Sequence, residues 1–237
     1  MPRKRPTSLA SATSTSTDAL REKPLLLGHR GARRYAPENT IAAFELALAH
    51  GCDGFEFDVR LTADRRCIIG HDPRLAGRDI ASSRYDQLPP GTPCLPDVLE
   101  KFADRAFLDI ELKVSGAESD VAAMVRDHPP QRGYFISSFL PPVIERLGAT
   151  DTALPLGLIC DSQRQLAACT RLPIQAVFLE RRLATAAIVE TLHAASKRVF
   201  VWTVNRERDM RRFAQLAVDG IISDDTKLLA ETLAEHH

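Results

Sequence analysis

The sequence predicts an α/β fold, a (β/α)8 TIM barrel with a short β-hairpin and a loop insertion after the second strand. Three observations carry this. From Leu25 onward, short apolar runs that read as strands alternate with amphipathic segments that read as helices. The strand runs are near-continuously apolar, as in a parallel sheet covered on both faces. Eight strand–helix pairs fall within a chain of 237 residues, the usual size of one closed barrel.

Residues 1–22 are rich in Ser and Thr and almost without large apolar side chains, so burial cannot offset their ordering entropy. They are expected to form a disordered tail, and residues 23–237 a single barrel domain. The expected strands are Leu25–Gly28, Gly54–Arg60, Phe107–Glu111, Tyr134–Ser137, Leu156–Ile159, Ala176–Leu179, Val199–Val204 and Gly220–Ile222. Between and after them fall helical patterns over Ile41–His50, Asp97–Asp104, Asp120–Asp127, Pro142–Leu147, Gln163–Cys169, Ala184–Ser196, Arg208–Ala217 and Lys227–Ala234. Asn39-Thr40 supplies a cap for the first helix, His50-Gly51 ends it, and Pro141-Pro142 opens the fourth. The run Cys67–Gly70 breaks the alternation. It follows the polar turn Asp64-Arg65-Arg66 and reads as an antiparallel partner of the second strand. Residues 72–93, rich in Gly, Pro, Asp and Ser, read as a long functional loop.

Composition narrows the function. With 31 basic and 31 acidic residues, no global field recruits nucleic acid or an anionic membrane. No run approaches the ~18 apolar residues of a membrane-spanning helix, so no stable membrane insertion is expected. The five cysteines are scattered and never in Cys-x-x-Cys spacing, which argues against a disulfide framework or a zinc site. A cytoplasmic location is expected. Oligomeric state has no signature here.

In such a barrel the site lies at the C-terminal ends of the strands. The first strand there delivers His29 and Arg30, and the second carries Glu56, Asp58 and Arg60. The hairpin ends at His71-Asp72, the third strand brings Asp109, Glu111 and Lys113 to one face, and the fourth ends at Ser137-Ser138. Glu56, Asp58 and Glu111 converge from neighbouring strands. Three such carboxylates call for a hard divalent cation, and oxygen ligands favour Mg²⁺ or Ca²⁺ over zinc. Arg30 and Lys113 suit a phosphate beside that cation. His29 and His71 supply a base and an acid near neutral pH. The combination points to phosphoryl chemistry on a diester.

These residues, read with their neighbours, resemble a known family. His29-Arg30-Gly31, Pro37-Glu38-Asn39-Thr40, Glu56-x-Asp58, Thr62-x-Asp64, His71-Asp72, Glu111-Leu112-Lys113, Val201-Trp202-Thr203-Val204-Asn205 and Asp219-Gly220-Ile221-Ile222 resemble the ordered motifs of glycerophosphodiester phosphodiesterases. The resemblance implies hydrolysis of small glycerophosphodiesters to glycerol 3-phosphate and an alcohol. It implies one divalent cation on Glu56, Asp58 and Glu111, and His29 and His71 as general base and acid. It also implies attack by the glycerol 2-hydroxyl through a cyclic phosphate, with Arg30 and Lys113 neutralising charge and Trp202 packing on the glycerol end. The chain departs from the family pattern after His71-Asp72, where Pro73–Ile80 replaces a longer insertion, and at Val114.

Two other functions stand beside this one. The chain could act on a lipid diester as a lysophospholipase D or phospholipase C, or be a non-catalytic binding barrel, a reading that predicts loss of a histidine or a metal carboxylate, of which none is lost here. Each site residue also has a plainer reading. The histidines could be satisfied core groups, and the carboxylates ordinary ion-pair partners. Lys113 could be a counter-ion to Glu111, and Trp202 barrel packing. Asp72, Asp109 and Arg60 are read as supporting or structural groups. Asn39 or Thr40 is the helix cap, and Glu38 lies at the site rim.

Overall fold

The structure, a computed structural model, describes residues 23–234; the tail expected over residues 1–22 lies outside them. In chain order the first elements are β1 (Leu25–His29), α1 (Ile41–Ala49), β2 (Gly54–Leu61), β3 (Cys67–Ile69), β4 (Arg74–Leu75), β5 (Arg78–Asp79), α2 (Leu95–Phe102), β6 (Phe107–Leu112) and α3 (Glu118–Asp127). There follow β7 (Tyr134–Ser138), α4 (Pro141–Thr150), β8 (Leu156–Cys160), α5 (Gln163–Ala168), β9 (Ala176–Glu180), α6 (Ala186–Ala194), β10 (Arg198–Trp202), α7 (Glu207–Gln215), β11 (Gly220–Ser223) and α8 (Thr226–Leu233). Strands β1, β2 and β6 through β11 pair in parallel, and β1 bonds to both β2 and β11, closing the ring. This is the expected (β/α)8 barrel. Strand β3 runs antiparallel on β2 with Val59 opposite Ile69, as the turn between them required.

Residues 72–93 differ from the expected loop. They hold the β4–β5 hairpin and a 3₁₀ turn at Tyr85–Gln87. Ala76 and Gly77 both have positive φ, 49° and 81°, which is the two-residue turn that matches strand twist. Ile80 and Leu88 then pack with Ile68 and Cys94 in a small satellite core. The first helix also resolves its cap: Thr40 Oγ1 accepts the Ala43 N–H at 3.1 Å, which leaves Asn39 free for another task.

Two apolar layers hold the barrel. Outside it, side chains of strands and helices form one continuous core. Inside it, Phe107, Phe135, Phe178 and Phe200 pack with Leu27, Ile159, Ala176 and Ile222. The Phe178 and Phe200 rings stack at 4.8 Å. Arg198 seals the lower end, its guanidinium 5.1 Å from the Phe200 ring centroid and 3.5 Å from Asp219. The site therefore opens at the C-terminal end of the strands. Among the described residues no helix is long and apolar enough to cross a membrane.

Gly54 sets how closely β2 approaches β6. A Cβ there would lie 1.8 Å from the Phe107 carbonyl oxygen, a backbone atom that cannot move without parting the two strands. We expect Gly54→Ala to cost about 3 kcal/mol or more, at the upper end of overpacking changes. For a chain of this size that lowers Tm by about 10 °C in a thermal melt. An unchanged Tm would refute this account of the β2–β6 contact.

Candidate active site

The strand ends bring the expected residues to one cavity of about 220 Å³, with Asp58 buried behind its wall. Its walls include His29, Arg30, Glu56, His71, Glu111, Lys113 and Trp202. Side chains at alternate positions of β2 and β6 point inward, so Glu56 and Asp58 lie beside Asp109 and Glu111 in register. One oxygen from each of Glu56, Asp58 and Glu111 lies within 4.8 Å of the others.

The three carboxylates are held differently. Asp58 accepts from Asn39 Nδ2 at 2.7 Å, and its other contacts are Arg30 Nε at 3.4 Å and Lys113 Nζ at 3.3 Å. Burial alone would raise its pKa, but Lys113, the Asn39 hydrogen bond and Arg30 together bring it below the ordinary aspartate value. Glu111 meets Lys113 Nζ at 2.6 Å in ion-pair contact, yet burial and the Asp58 charge push it up to about 7. Glu56 Oε2 accepts the Arg30 backbone N–H at 2.8 Å, while Oε1 is buried with no hydrogen-bond donor. Burial, then the charges of Asp58, Glu111 and Asp109, hold Glu56 well above the usual glutamate range. A buried acceptor left bare beside two more carboxylates is a set of hard oxygen donors, and these residues fit a divalent cation.

The cations are fixed as firmly. Arg30 adopts a left-handed φ of 56° and donates Nη1–H to Glu38 Oε1 at 2.8 Å. Glu38 thus reaches the rim as expected, and its other oxygen is 3.1 Å from Arg33. Burial opposes the charges on Arg30 and Lys113, but their carboxylate neighbours outweigh it and raise both pKa values. Lys113 also sits 5.5 Å from the Phe139 ring centroid. Trp202 packs edge-on against Phe139 at 5.5 Å and donates Nε1–H to the Phe178 carbonyl at 3.0 Å. Both plainer readings hold alongside the site: Lys113 is a counter-ion, and Trp202 is packed.

The two histidines occupy different settings. His29 Nδ1 is 2.6 Å from Asp224 Oδ1, and Nε2 is 4.0 Å from Glu56 Oε2. Burial lowers its pKa below the usual imidazole value more than Asp224 raises it. A neutral ring donating Nδ1–H to Asp224 presents a bare Nε2 to the cavity. His71 is one-third exposed at the rim, with Nδ1 2.8 Å from Asp72 Oδ1. Arg60 donates Nε–H to the His71 carbonyl at 2.7 Å and so holds that loop to β2.

Three groups of this site escaped the sequence reading. Asp224 anchors His29 and is itself held by Asn205 Nδ2 at 2.6 Å. Asn39, with φ 58°, grips Asp58 with both ends of its side-chain amide: Nδ2–H donates to the carboxylate and Oδ1 accepts the Asp58 backbone N–H. Phe139 backs Lys113. A signal for Asp224 existed: it directly follows β11, and residues just past each strand are where such barrels place their chemistry.

Comparison with known proteins adds to this geometry. The model of the glycerophosphoryl diester phosphodiesterase family matches residues 29–228. The chain belongs to this family. A glycerophosphodiester phosphodiesterase of Caldanaerobacter subterraneus subsp. tengcongensis is 29% identical over 234 residues, 87% of this chain and 96% of that protein. A glycerophosphodiester phosphodiesterase of Bacillus altitudinis is 30% identical over 237 residues, 84% and 94% of the two chains. Among solved structures, an Oleispira antarctica phosphodiesterase in complex with the product sn-glycerol-3-phosphate has the same fold. Its TM-score is 0.81 at 21% identity, over 90% of this chain and 98% of that one. As a glycerophosphodiester phosphodiesterase family member, the protein is a phosphoric diester hydrolase.

Proposed function

We propose that the protein hydrolyses small glycerophosphodiesters to sn-glycerol 3-phosphate and an alcohol, with Mg²⁺ or Ca²⁺ held by Glu56, Asp58 and Glu111. The observation that carries this is one cavity holding a bare-oxygen carboxylate cluster, two fixed cations and a histidine anchored at its far nitrogen. When bound, the cation supplies charge neutralisation at the phosphate. Arg30 and Lys113 orient the phosphate and balance charge on the five-coordinate phosphorus. His29 Nε2 takes the proton of the glycerol 2-hydroxyl as its oxygen bonds to phosphorus. The bond from phosphorus to the leaving alcohol breaks, and His71 at the rim gives that oxygen a proton. Water then opens the cyclic phosphate with the two histidines in reversed roles. Trp202 packs on the glycerol carbons.

A cavity of about 220 Å³ favours a small diester over a lipid one. The product bound by the Oleispira relative supports the glycerol 3-phosphate end of the substrate. Five buried cysteines carried as free thiols support the cytoplasm as its location.

With Mg²⁺ or Ca²⁺ the purified protein is expected to release glycerol 3-phosphate from glycerophosphocholine, and excess chelator to abolish release. Saturating cation at about a hundred times Kd adds about 2.7 kcal/mol of stability, a Tm rise of roughly 5–10 °C. Full turnover in chelator with no cation-dependent Tm shift would overturn the metal assignment.

A further inference from the structure

We infer that Asp109, backed by Ser137, is a specificity-determining residue that accepts a hydrogen bond from the terminal hydroxyl of the substrate's glycerol. This rests on the glycerophosphodiester reading above. Among the polar groups of the cavity, Asp109 is the one that neither the cation cluster, the phosphate-binding pair nor the histidines employ. It is 1% exposed, and among the described residues its hydrogen bond is a single one, from Ser137 Oγ to Oδ1 at 2.6 Å. A buried carboxyl with one donor and a cavity in front of it has acceptor capacity to spare.

Its level in the barrel says what fills that capacity. Asp109 lies opposite Glu56 in the β2–β6 register, and Glu56 lies opposite His29 in the β1–β2 register. Asp58 and Glu111 pair one inward step higher. A phosphate held between Arg30 and Lys113 at the upper step places the glycerol carbons on the lower one, where His29 reaches the 2-hydroxyl. The remaining walls there are Ile159, Phe178, Ile222 and Trp202. They suit the C–H faces of a three-carbon chain and offer nothing to its last hydroxyl. Asp109 does.

A site built to bind a hydroxyl rejects the analogue lacking it far more strongly than an apolar pocket rejects a missing methylene. The test compares glycerophosphocholine with 2-hydroxypropyl phosphocholine, which keeps the attacking hydroxyl and the leaving group and lacks the terminal hydroxyl. The expected wild-type preference in kcat/KM is about a hundredfold or more. Asp109→Leu should collapse it to within about threefold, through the glycerol substrate, and Asp109→Asn, which keeps an acceptor, should retain most of it. Ser137→Ala should fall between. A wild-type preference preserved in Asp109→Leu, or equal losses on both diesters, overturns the inference. If Asp109→Leu does not fold, an unchanged ratio in Ser137→Ala overturns it equally. If the wild type cleaves neither diester, the functional reading fails, and calorimetry decides this inference separately. It would compare wild type and Asp109→Asn for binding of glycerol 3-phosphate against 2-hydroxypropyl phosphate, and equal affinity in the wild type would sink it.

Discussion

His29→Ala is expected to lower kcat by about 10²–10⁴-fold while leaving KM within a few-fold, the range for loss of a positioned general base. The ring sits where a base must: buried, kept neutral by that burial, and fixed through Nδ1 on Asp224 at 2.6 Å. Asp224→Asn tests the same geometry from the other end. An amide can offer an N–H to Nδ1 in place of the carboxylate, which would turn the ring to the tautomer protonated at Nε2. A base with its proton already in place cannot accept another, so kcat should fall about tenfold to a hundredfold with the fold intact. Steady-state kinetics with a far-ultraviolet circular dichroism control check both. Wild-type turnover in His29→Ala would remove it from the mechanism, and wild-type turnover in Asp224→Asn would reduce Asp224 to a structural tie.

Glu56→Gln should abolish activity by about a thousandfold or more, since the several kcal/mol a cation supplies correspond to a factor of ten for each 1.4 kcal/mol. The cation-dependent Tm rise should vanish with it. In the metal-free state, however, the variant should be at least as stable as the wild type. Glu56 is buried, repelled by Asp58, Glu111 and Asp109, and carries an oxygen with no donor, so a neutral amide relieves a cost. Asp58 predicts the opposite sign. Its carboxylate is clasped by Asn39, Arg30 and Lys113, so Asp58→Ala strands buried cations and should cost about 3–5 kcal/mol by urea denaturation. A Glu56→Gln protein that is strongly destabilised without metal, or that keeps its cation response, contradicts this division between the two carboxylates.

The alternation of apolar runs and amphipathic segments was legible because each strand is short, apolar and bounded by turn residues. Strand ends were less so. His29, Ser138, Glu180 and Ser223 are the last residues of their strands, one beyond the end expected for each. Their polar side chains lie at the C-terminal ends of the strands, and hydropathy reads polarity there as the end of the strand. Glu56, Asp58 and Glu111 were legible as a cluster because period-two alternation places i and i+2 on one face. Asn39 was read as a capping candidate because its neighbour Thr40 carries the same local signal, and its grip on Asp58 is a tertiary contact. The β4–β5 hairpin was hidden because its strands are two residues each, too short for any periodicity.

Closure of the ring has a consequence for when this enzyme can work. Every group assigned to the cation, the phosphate and the two proton transfers has left the ribosome by Lys113, less than halfway along the chain. Asp224, which aims His29, lies 195 residues downstream of it and arrives only as β11 docks on β1. A nascent or partly unfolded chain can therefore gather its carboxylates without owning a directed base. Full turnover becomes a chemical report that the last strand has met the first, and barrels without that contact are slowed toward the diesters around them.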